Sequence, residues 1–359
     1  MKNLFSCLLE NQIINMENNY FLLSPQHDSI TIERFHLCTW ELRDETALIE
    51  FGIEVRLEDD VPQKMEVSLY VPWLKSTHKI QDLYNNLKDK DNCRFIFNDS
   101  VEGAEFIQEG NQDLGTILHL EDHGDLCIVP VCTDINPQKH CINIKIQTEH
   151  LKAKYKPGMC LYFRFYLEPH VSLLTTRTQG ITKTSLIYDI RVNEKRNLPT
   201  NIQARELCKI KNCFVFHIIP NYYDLVFLDN KICRGIRSLE FDSFQKYLPN
   251  KRFKRDELVV IFNKKTESES YTFFSSYAKE RISPTQIISA IFINLLCALL
   301  LFIANIRINL SVPYYDKNLW TDLPWETHLC IGIIFLTGMY IFWPSITNCW
   351  HSCTQKVKK

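Results

Sequence analysis

Residues 287–306 read IISAIFINLLCALLLFIANI, and residues 328–347 read HLCIGIIFLTGMYIFWPSIT. Neither block contains an acidic residue, a lysine or an arginine. At roughly 1.5 Å per residue, each block would form a helix about 30 Å long, which is the thickness of the hydrocarbon core of a bilayer. A core helix of a soluble domain would carry charged residues along one face, and neither block has such a face. The sequence therefore predicts a C-terminal hairpin of two transmembrane helices.

Basic residues are concentrated on the outer flanks of this hairpin. Between the two blocks the only cations are Arg307 and Lys317, whereas the outer flanks carry Lys279, Arg281, Lys356, Lys358 and Lys359. Because basic flanks are retained in the cytoplasm, both ends of the hairpin are expected there. The N-terminus has no signal-peptide pattern. We therefore expect a multi-pass protein of the plasma or inner membrane, with its N-terminal domain and its C-terminus in the cytoplasm.

A stripe of small and polar residues follows one face of the first predicted membrane helix. Ala290, Asn294 and Ala298 recur at intervals of four, and Pro344 would kink the second helix. Small residues let helices approach closely, and a buried Asn supplies a hydrogen bond between them. The stripe packs either against the second helix of the same chain or against other chains. In the second case we expect a homo-oligomer in which Asn294 lines an interface or a pore.

Ahead of the hairpin, apolar and polar residues alternate with a period of two. Residues 30–38 (ITIERFHLC) and 48–57 (LIEFGIEVRL) are examples, and roughly a dozen such segments occur. Helical patterns are short and cover residues 77–87, 202–208 and 241–248. The fold class that we predict is mainly β, a sandwich or barrel-like cytosolic domain with few short helices.

The predicted domain organisation has four parts. A short N-terminal helix occupies residues 1–25, and two β-rich subdomains occupy residues 26–135 and 136–270. The boundary rests on the turn signal Asn136-Pro137. Residues 271–359 are predicted to form a membrane-entry helix followed by the hairpin.

Composition and motifs argue against several classes of function. The net charge is −1, which argues against a protein that coats nucleic acid. The 14 cysteines show no CxxC spacing, and neither a metal site nor a cofactor is expected. Nucleotide-binding, zinc-protease and serine-hydrolase fingerprints are absent from the sequence. An enzyme is therefore less favoured than a binding protein.

Basic residues in the second half of the cytosolic part are candidates for ligand binding. Arginines bind phosphate through paired hydrogen bonds, and basic loops also dock on anionic lipid head groups. The alternative is that these residues are solvated and balance nearby acidic segments. The candidates are Arg191, Arg196, Arg234, Arg237, Lys251, Arg252, Lys254 and Arg255.

One pair of segments resembles the caspase-type cysteine proteases. A predicted strand leads into His123-Gly124, and a later one leads into Cys233-Arg234-Gly235. The resemblance implies that His123 activates the thiol of Cys233 at the ends of neighbouring parallel strands. The separation along the chain is about twice the usual ~50 residues, and residues 229–232 stand between the second strand and Cys233.

The favoured hypothesis is a membrane-anchored sensor-effector. Its partners would be the lipid bilayer, further copies of the chain, and an unknown cytosolic protein or small phosphorylated ligand. In architecture this is similar to the two-helix, β-domain membrane effectors of bacterial antiviral defence, which implies that ligand binding rearranges the hairpins and perturbs the membrane. The alternatives are a membrane-tethered protease that uses His123 and Cys233, and a scaffold that holds a cytosolic partner at the membrane.

Overall fold

The computed structural model of the protein describes most of the chain ahead of residue 311 and a smaller share of the C-terminal residues. The described residues are 19–26, 30–44, 46–56, 64–108, 111–152, 154, 156, 158–169, 174–180, 182–196, 200–229, 231–250, 252–265, 270–281, 284–310, 325, 327–337 and 339. The chain divides into two units, Met1–Lys279 and Glu280–Lys359.

The first unit is built mainly from strands, as the period-two pattern predicts. Strands account for 52% of the structure and helices for 21%, so the prediction of a mainly β chain is confirmed. The strands are β1 (Tyr20–Pro25), β2 (Thr31–Glu41), β3 (Ala47–Arg56), β4 (Lys64–Tyr70), β5 (Ile80–Asp82), β6 (Val101–Gln108), β7 (Asn111–Leu120), β8 (Gly124–Ile128), β9 (Cys132–Asn136), β10 (Cys141–Gln147), β11 (Cys160–Leu167), β12 (Thr175–Gln179), β13 (Lys183–Val192), β14 (Lys209–Pro220), β15 (Asp224–Leu228), β16 (Cys233–Ser238), β17 (Glu257–Lys265) and β18 (Tyr271–Glu280).

The strands form two sheets. The first sheet has the order β15-β18-β13-β1-β4-β10-β9, with β12 paired to β13. The second has the order β16-β17-β14-β2-β3-β11-β8-β7-β6, with β5 paired to β11. Most pairs are antiparallel, and β1–β13, β14–β2 and β11–β8 are parallel.

The main hydrophobic core lies between the two sheets. Alternate residues of the first sheet, such as Phe21 and Tyr188, and of the second sheet, such as Phe51 and Phe163, belong to one buried cluster. Two sheets that share a core across their inner faces define a sandwich. The unit is therefore a β-sandwich.

Helices cover part of the other face of the second sheet and a small part of the first. The helices of the unit are α1 (Tyr84–Leu87), α2 (Lys90–Phe97), α3 (Thr200–Gln203) and α4 (Phe241–Tyr247), with a 3-10 turn at Glu149–Leu151. Asp89 starts α2 by accepting the backbone N–H groups of Asp91 and Asn92. A second core joins Tyr84, Phe97 and Tyr247 of these helices to Trp40 and Tyr162 of the second sheet.

Parts of two predicted helices form strands. Residues 1–18 of the predicted N-terminal helix lie outside the described residues, but Tyr20–Pro25 form β1, in which Tyr20 and Phe21 pair with β13 and Leu22–Pro25 pair with β4. Tyr271–Glu280, predicted as the start of a membrane-entry helix, form β18. There Tyr271, Phe273, Ser275 and Tyr277 are buried and alternate with exposed or half-buried residues, which is the period of a strand. The predicted subdomain boundary at 135/136 falls at the end of β9, inside the first sheet.

From Pro284 onward, the second unit is helical where it is described. Helix α5 (Pro284–Leu310) has 27 residues, and residues 325, 327–337 and 339 are also helical. Most of the described α5 side chains are exposed and apolar. Ala290 is half-buried, Asn294 and Ala298 are exposed, and Pro344 lies outside the described residues. Within the described part of the chain, no helix has both the length and the apolar character that crossing a membrane requires.

Candidate functional site

His123 and Cys233, the predicted protease pair, lie far apart in the second sheet. His123 occupies the turn between β7 and β8, whereas Cys233 begins β16. Five strands separate β16 from β8, so six strand spacings of about 4.8 Å put roughly 29 Å of sheet between the two strands. A thiol–imidazole dyad needs its groups within hydrogen-bond reach. The prediction that His123 activates Cys233 is therefore wrong.

His123 and Cys233 each have a local contact instead. The Nδ1 atom of His123 lies 2.6 Å from a carboxylate oxygen of Asp99, and this carboxylate also accepts the backbone N–H groups of Asp122 and His123. Burial acts to raise the pKa of Asp99, but these hydrogen bonds outweigh it and lower the pKa below its usual value. The half-buried thiol of Cys233 lies 3.8 Å from the carbonyl oxygen of Gly235. The His123–Asp99 contact thus braces the β7–β8 turn.

The predicted basic cluster is divided between two places. Arg191 and Arg196 lie at the end of β13 in the first sheet, whereas the other candidates lie on β16 or in the loop between α4 and β17. Lys251 lies outside the described residues, and Arg234 and Lys254 are exposed. The candidates do not form one site, so a shared ligand site is not supported. A role in binding lipid head groups stays a prediction.

Carboxylates neutralise most of these cations. A solvent-exposed ion pair contributes about 0–1 kcal/mol to stability. The pairs are Arg191 with Asp189 (3.0 Å), Arg196 with Glu194 (3.6 Å), Arg237 with Glu240 (3.0 Å), Arg252 with Glu168 (2.6 Å) and Arg255 with Asp242 (2.9 Å).

A polar pocket opens on the outer face of the first sheet. Its volume is about 510 Å³, which is enough for a small molecule. It lies beside a small apolar cluster that contains Leu22, Tyr70 and Ile202. Its polar lining residues are Ser24, Gln26, Ser68, Asn136, Lys139, Asn143, Arg205 and Glu206.

The floor of the pocket is one row of residues across three strands. Ser24 of β1 stands opposite Ser68 of β4, and Ser68 stands opposite Asn143 of β10. The hydroxyl of Ser68 donates to Oδ1 of Asn143 over 3.1 Å, and the hydroxyl of Ser24 lies 3.5 Å from the carbonyl oxygen of Ser68. Because strand residues alternate between faces, these polar groups point outward while Leu23 and Leu69 point into the main core.

Arg205 supplies a positioned cation at this pocket. It follows α3, and its Nη1 donates to the sulfur of Cys141 over 3.0 Å. Its guanidinium carbon lies 5.9 Å from the centre of the Tyr70 ring, within the range of a cation–π contact. Lys195 donates to the carbonyl oxygen of Arg205 over 2.6 Å. These contacts hold the guanidinium in place, which reduces the entropy that binding would cost.

Lys139 brings a second cation to the pocket from the turn between β9 and β10. Its backbone N–H donates to Oδ1 of Asn136 over 3.1 Å, and the next residue, His140, has a φ of 50°. The lining then contains two cations, one carboxylate (Glu206), hydroxyls and amides. This set of groups suits a small polar molecule that carries a phosphate or carboxylate group.

Sequence reasoning missed Arg205 and Lys139. They are far apart along the chain, and only the pairing of β9, β10, β4 and β1 brings them to one pocket. The sequence offers one signal for this pocket, the row of polar residues Ser24, Ser68 and Asn143 on the outer face of apolar strands. Polar residues are expected at outward-facing positions of any such strand, so this signal does not distinguish a pocket from an ordinary exposed face.

A second polar cluster is buried beneath the helices and has Glu50 at its centre. Glu50 is 0% exposed. Its Oε1 accepts the indole N–H of Trp40 over 2.8 Å, and its Oε2 accepts Nη2 of Arg164 at 2.7 Å and the hydroxyl of Tyr247 at 3.2 Å. Burial acts against the charge of Arg164, but Glu50 outweighs it and holds the pKa of the guanidinium well above its usual value.

His36 extends this cluster through Tyr162. Nη1 of Arg164 lies 3.5 Å from the hydroxyl of Tyr162, which in turn lies 3.0 Å from Nδ1 of His36. Burial, with the charge of Arg164, lowers the pKa of His36 well below its usual value. Because these residues are buried and pair with one another, the cluster fixes the packing of the core and is not a binding site.

Neither a search for metal-binding groups nor a comparison with known protein families identifies a further functional site. Within the described part of the chain, no group of three or more His, Cys, Asp or Glu residues could hold a metal ion. No protein-family model and no curated protein matches the chain.

Some solved structures are weakly similar to the chain. One is an M1 zinc metallopeptidase from Deinococcus radiodurans, with 6% sequence identity, a TM-score of 0.28, and coverage of 71% of this chain and 43% of that protein. Another is a putative protease from Parabacteroides distasonis, with 8% identity, a TM-score of 0.28, and coverage of 69% and 40%. The chain spans less than half the length of these proteins, and a likeness this low supports no inference about function.

Proposed function

We propose that this protein is a membrane-anchored sensor-effector. The β-sandwich binds a small polar ligand in the pocket beside Arg205, and the C-terminal helices hold the chain in the bilayer and assemble with those of other copies. Ligand binding then rearranges these helices and perturbs the membrane. Nucleic acid is not part of the proposal, because the pocket is small and the chain carries no net positive charge.

The single observation that carries the membrane part is the exposed apolar surface of α5. Ile288, Phe292, Leu295 and Leu299 are each at least 60% exposed. A surface of this kind in water would be a liability for aggregation, whereas in lipid it is the normal surface of a helix. In the sequence, the 20 residues 287–306 include no acidic residue, lysine or arginine, and a helix of that length would be about 30 Å long.

The membrane proposal predicts how the full chain partitions after cell lysis. Wild type should stay in the membrane pellet through an alkaline carbonate wash and dissolve only in detergent. Replacing Leu295→Lys together with Leu299→Lys should move a large fraction to the supernatant, since each lysine at the centre of a membrane helix costs about 2.5–3.5 kcal/mol. The fraction in each phase is measured by immunoblot.

A matched control separates insertion from a general loss of solubility. Phe106→Lys places a lysine on an exposed apolar residue of the β-sandwich and should leave the distribution unchanged. Wild type released by carbonate without detergent would refute the membrane proposal.

The pocket proposal predicts binding of simple anions to the full chain in detergent. Inorganic pyrophosphate and citrate serve as probes of a phosphate-bearing and a carboxylate-bearing ligand. Arg205→Gln and Lys139→Gln should each weaken the binding of the preferred probe by about 10- to 100-fold, because a hydrogen bond to a charged group contributes about 1.5–3 kcal/mol. Isothermal titration calorimetry measures the affinity.

Arg255→Gln is the matched control for the pocket, since Arg255 is exposed and paired with Asp242 away from it. This variant should bind like wild type. Equal affinity of all three variants, or a wild type that binds neither probe, would remove the pocket from the proposal and leave the membrane anchor standing.

A further inference from the structure

Strand β15 carries a patch of apolar side chains that are exposed to solvent. Val226 is 64% exposed and Phe227 52% exposed, and Leu225 beside them is also exposed. On the neighbouring strand β18, Phe274 is exposed and its ring centre lies 5.7 Å from that of Phe227. We refer to Leu225, Val226, Phe227 and Phe274 as the β15 patch.

The position of β15 in the sheet explains why the patch is open. β15 is the last strand of the first sheet and pairs with β18 on one side. Leu225, Val226 and Phe227 are all exposed, and the pairing with β18 shifts register between Leu225 and Phe227, so three consecutive apolar side chains of this edge strand are open. An exposed apolar edge strand is rare in a soluble domain and indicates a contact surface.

Chain continuity indicates which surface covers it. β15 pairs with residues 275–278 of β18, and Asp224 stands opposite Ala278. Helix α5 begins at Pro284, six positions after Ala278. Because a chain spans at most ~3.6 Å per residue, the start of the helix lies within about 22 Å of Ala278 in any arrangement. If α5 enters the bilayer, the β15 patch is within reach of the lipid surface.

We propose that the β15 patch inserts into the surface of the bilayer that α5 enters. This inference rests on the proposed membrane anchoring. Val226 and Phe227 sit among the acyl chains near the head groups, and burial of apolar area stabilises the contact. Asp224 and Asp229 bracket the patch, so the contact depends on apolar burial and not on attraction to anionic lipid. The contact fixes the β-sandwich close to the membrane instead of leaving it on a free tether.

Photo-crosslinking of the full chain in lipid vesicles tests the proposal. Benzoylphenylalanine replaces one residue at a time, at Phe227 in the patch, at Leu295 in α5 and at Phe106 on β6. Phe106 is an exposed phenylalanine of the other sheet and serves as the matched control. The vesicles contain phosphatidylcholine with or without phosphatidylglycerol, and mass spectrometry identifies the adducts after irradiation.

We expect lipid adducts at positions 227 and 295 and at least 10-fold fewer at position 106. The yield at position 227 should agree within experimental error between about 50 mM and about 500 mM salt, because charge does not drive the contact.

Adducts at position 295 without adducts at position 227 would overturn this inference and leave the anchor intact. Absence of adducts at both positions would overturn the anchor and the inference together. Crosslinked dimers through position 227 in place of lipid adducts would assign the patch to a second copy of the chain and overturn lipid contact.

Discussion

At the scale of the residue, the buried carboxylate of Glu50 makes the structure sensitive to a single substitution. It is the only carboxylate that contacts Arg164 among the described ion pairs, and both side chains are buried. Glu50→Gln would leave the guanidinium charged and without a counter-ion. Removing one partner of a buried pair lowers the free energy of unfolding by about 3–5 kcal/mol. Chemical denaturation followed by tryptophan fluorescence measures this loss.

Glu240→Gln provides the comparison for Glu50→Gln. Glu240 pairs with Arg237 over 3.0 Å, and both side chains are about half exposed. Water solvates the remaining arginine there, so the free energy of unfolding should change by about 0–1 kcal/mol. Similar losses in the two variants would mean that the Glu50 cluster adds nothing beyond an ordinary surface pair.

Neither the Glu50 cluster nor the pocket could be predicted residue by residue. Glu50 and Arg164 are 114 positions apart, and each occupies a strand whose pattern indicates only that one face is polar. Arg205 and Cys141 are likewise 64 positions apart along the chain. A sequence shows which side chains share a face of a strand, whereas strand order decides which strands are neighbours. That order depends on long-range pairing, which the local pattern does not contain.

At the scale of the element, the alternation of apolar and polar residues predicts most of the strands. The prediction fails where an alternating segment adjoins a long apolar block that indicates a helix. Residues 271–277 (YTFFSSY) alternate, but they precede a long apolar block, and the sequence prediction extends the helix over them. The structure ends the strand at Glu280 and begins α5 at Pro284, since proline is favoured in the first turn of a helix. The caspase-like interpretation failed for a different reason, because a resemblance of two short segments contains no information on the strands between them.

At the scale of the whole molecule, buried histidines link the stability of the β-sandwich to pH. His217 stacks on Tyr188 with ring centres 3.8 Å apart, and burial lowers its pKa to about 3. In the unfolded chain the pKa is about 6.5. Between these values the unfolded chain binds a proton that the folded chain excludes. The contribution to stability is therefore complete above pH ~6.5 and is lost as the pH falls toward 3, by up to about 1.4 kcal/mol per pH unit.

Urea denaturation of wild type and His217→Gln between pH 7 and about pH 4.5 tests this dependence. Below pH ~6.5 the variant should lose stability less steeply than wild type, although it is less stable at pH 7 because the stacking is lost. His140→Asn is the control, because His140 is exposed and asparagine tolerates its positive φ. Parallel pH profiles of wild type and His217→Gln would show that His217 is protonated in the folded state.

The place of β18 in the first sheet has a mechanical consequence. β18 lies between β15 and β13, and β1, which forms part of the pocket floor, is the next strand after β13. Tension along the axis of β18 would load the β15–β18 ladder in shear, with its antiparallel hydrogen bonds sharing the force instead of breaking in sequence. β18 would therefore separate from the first sheet only at a high force, because these hydrogen bonds would have to break together.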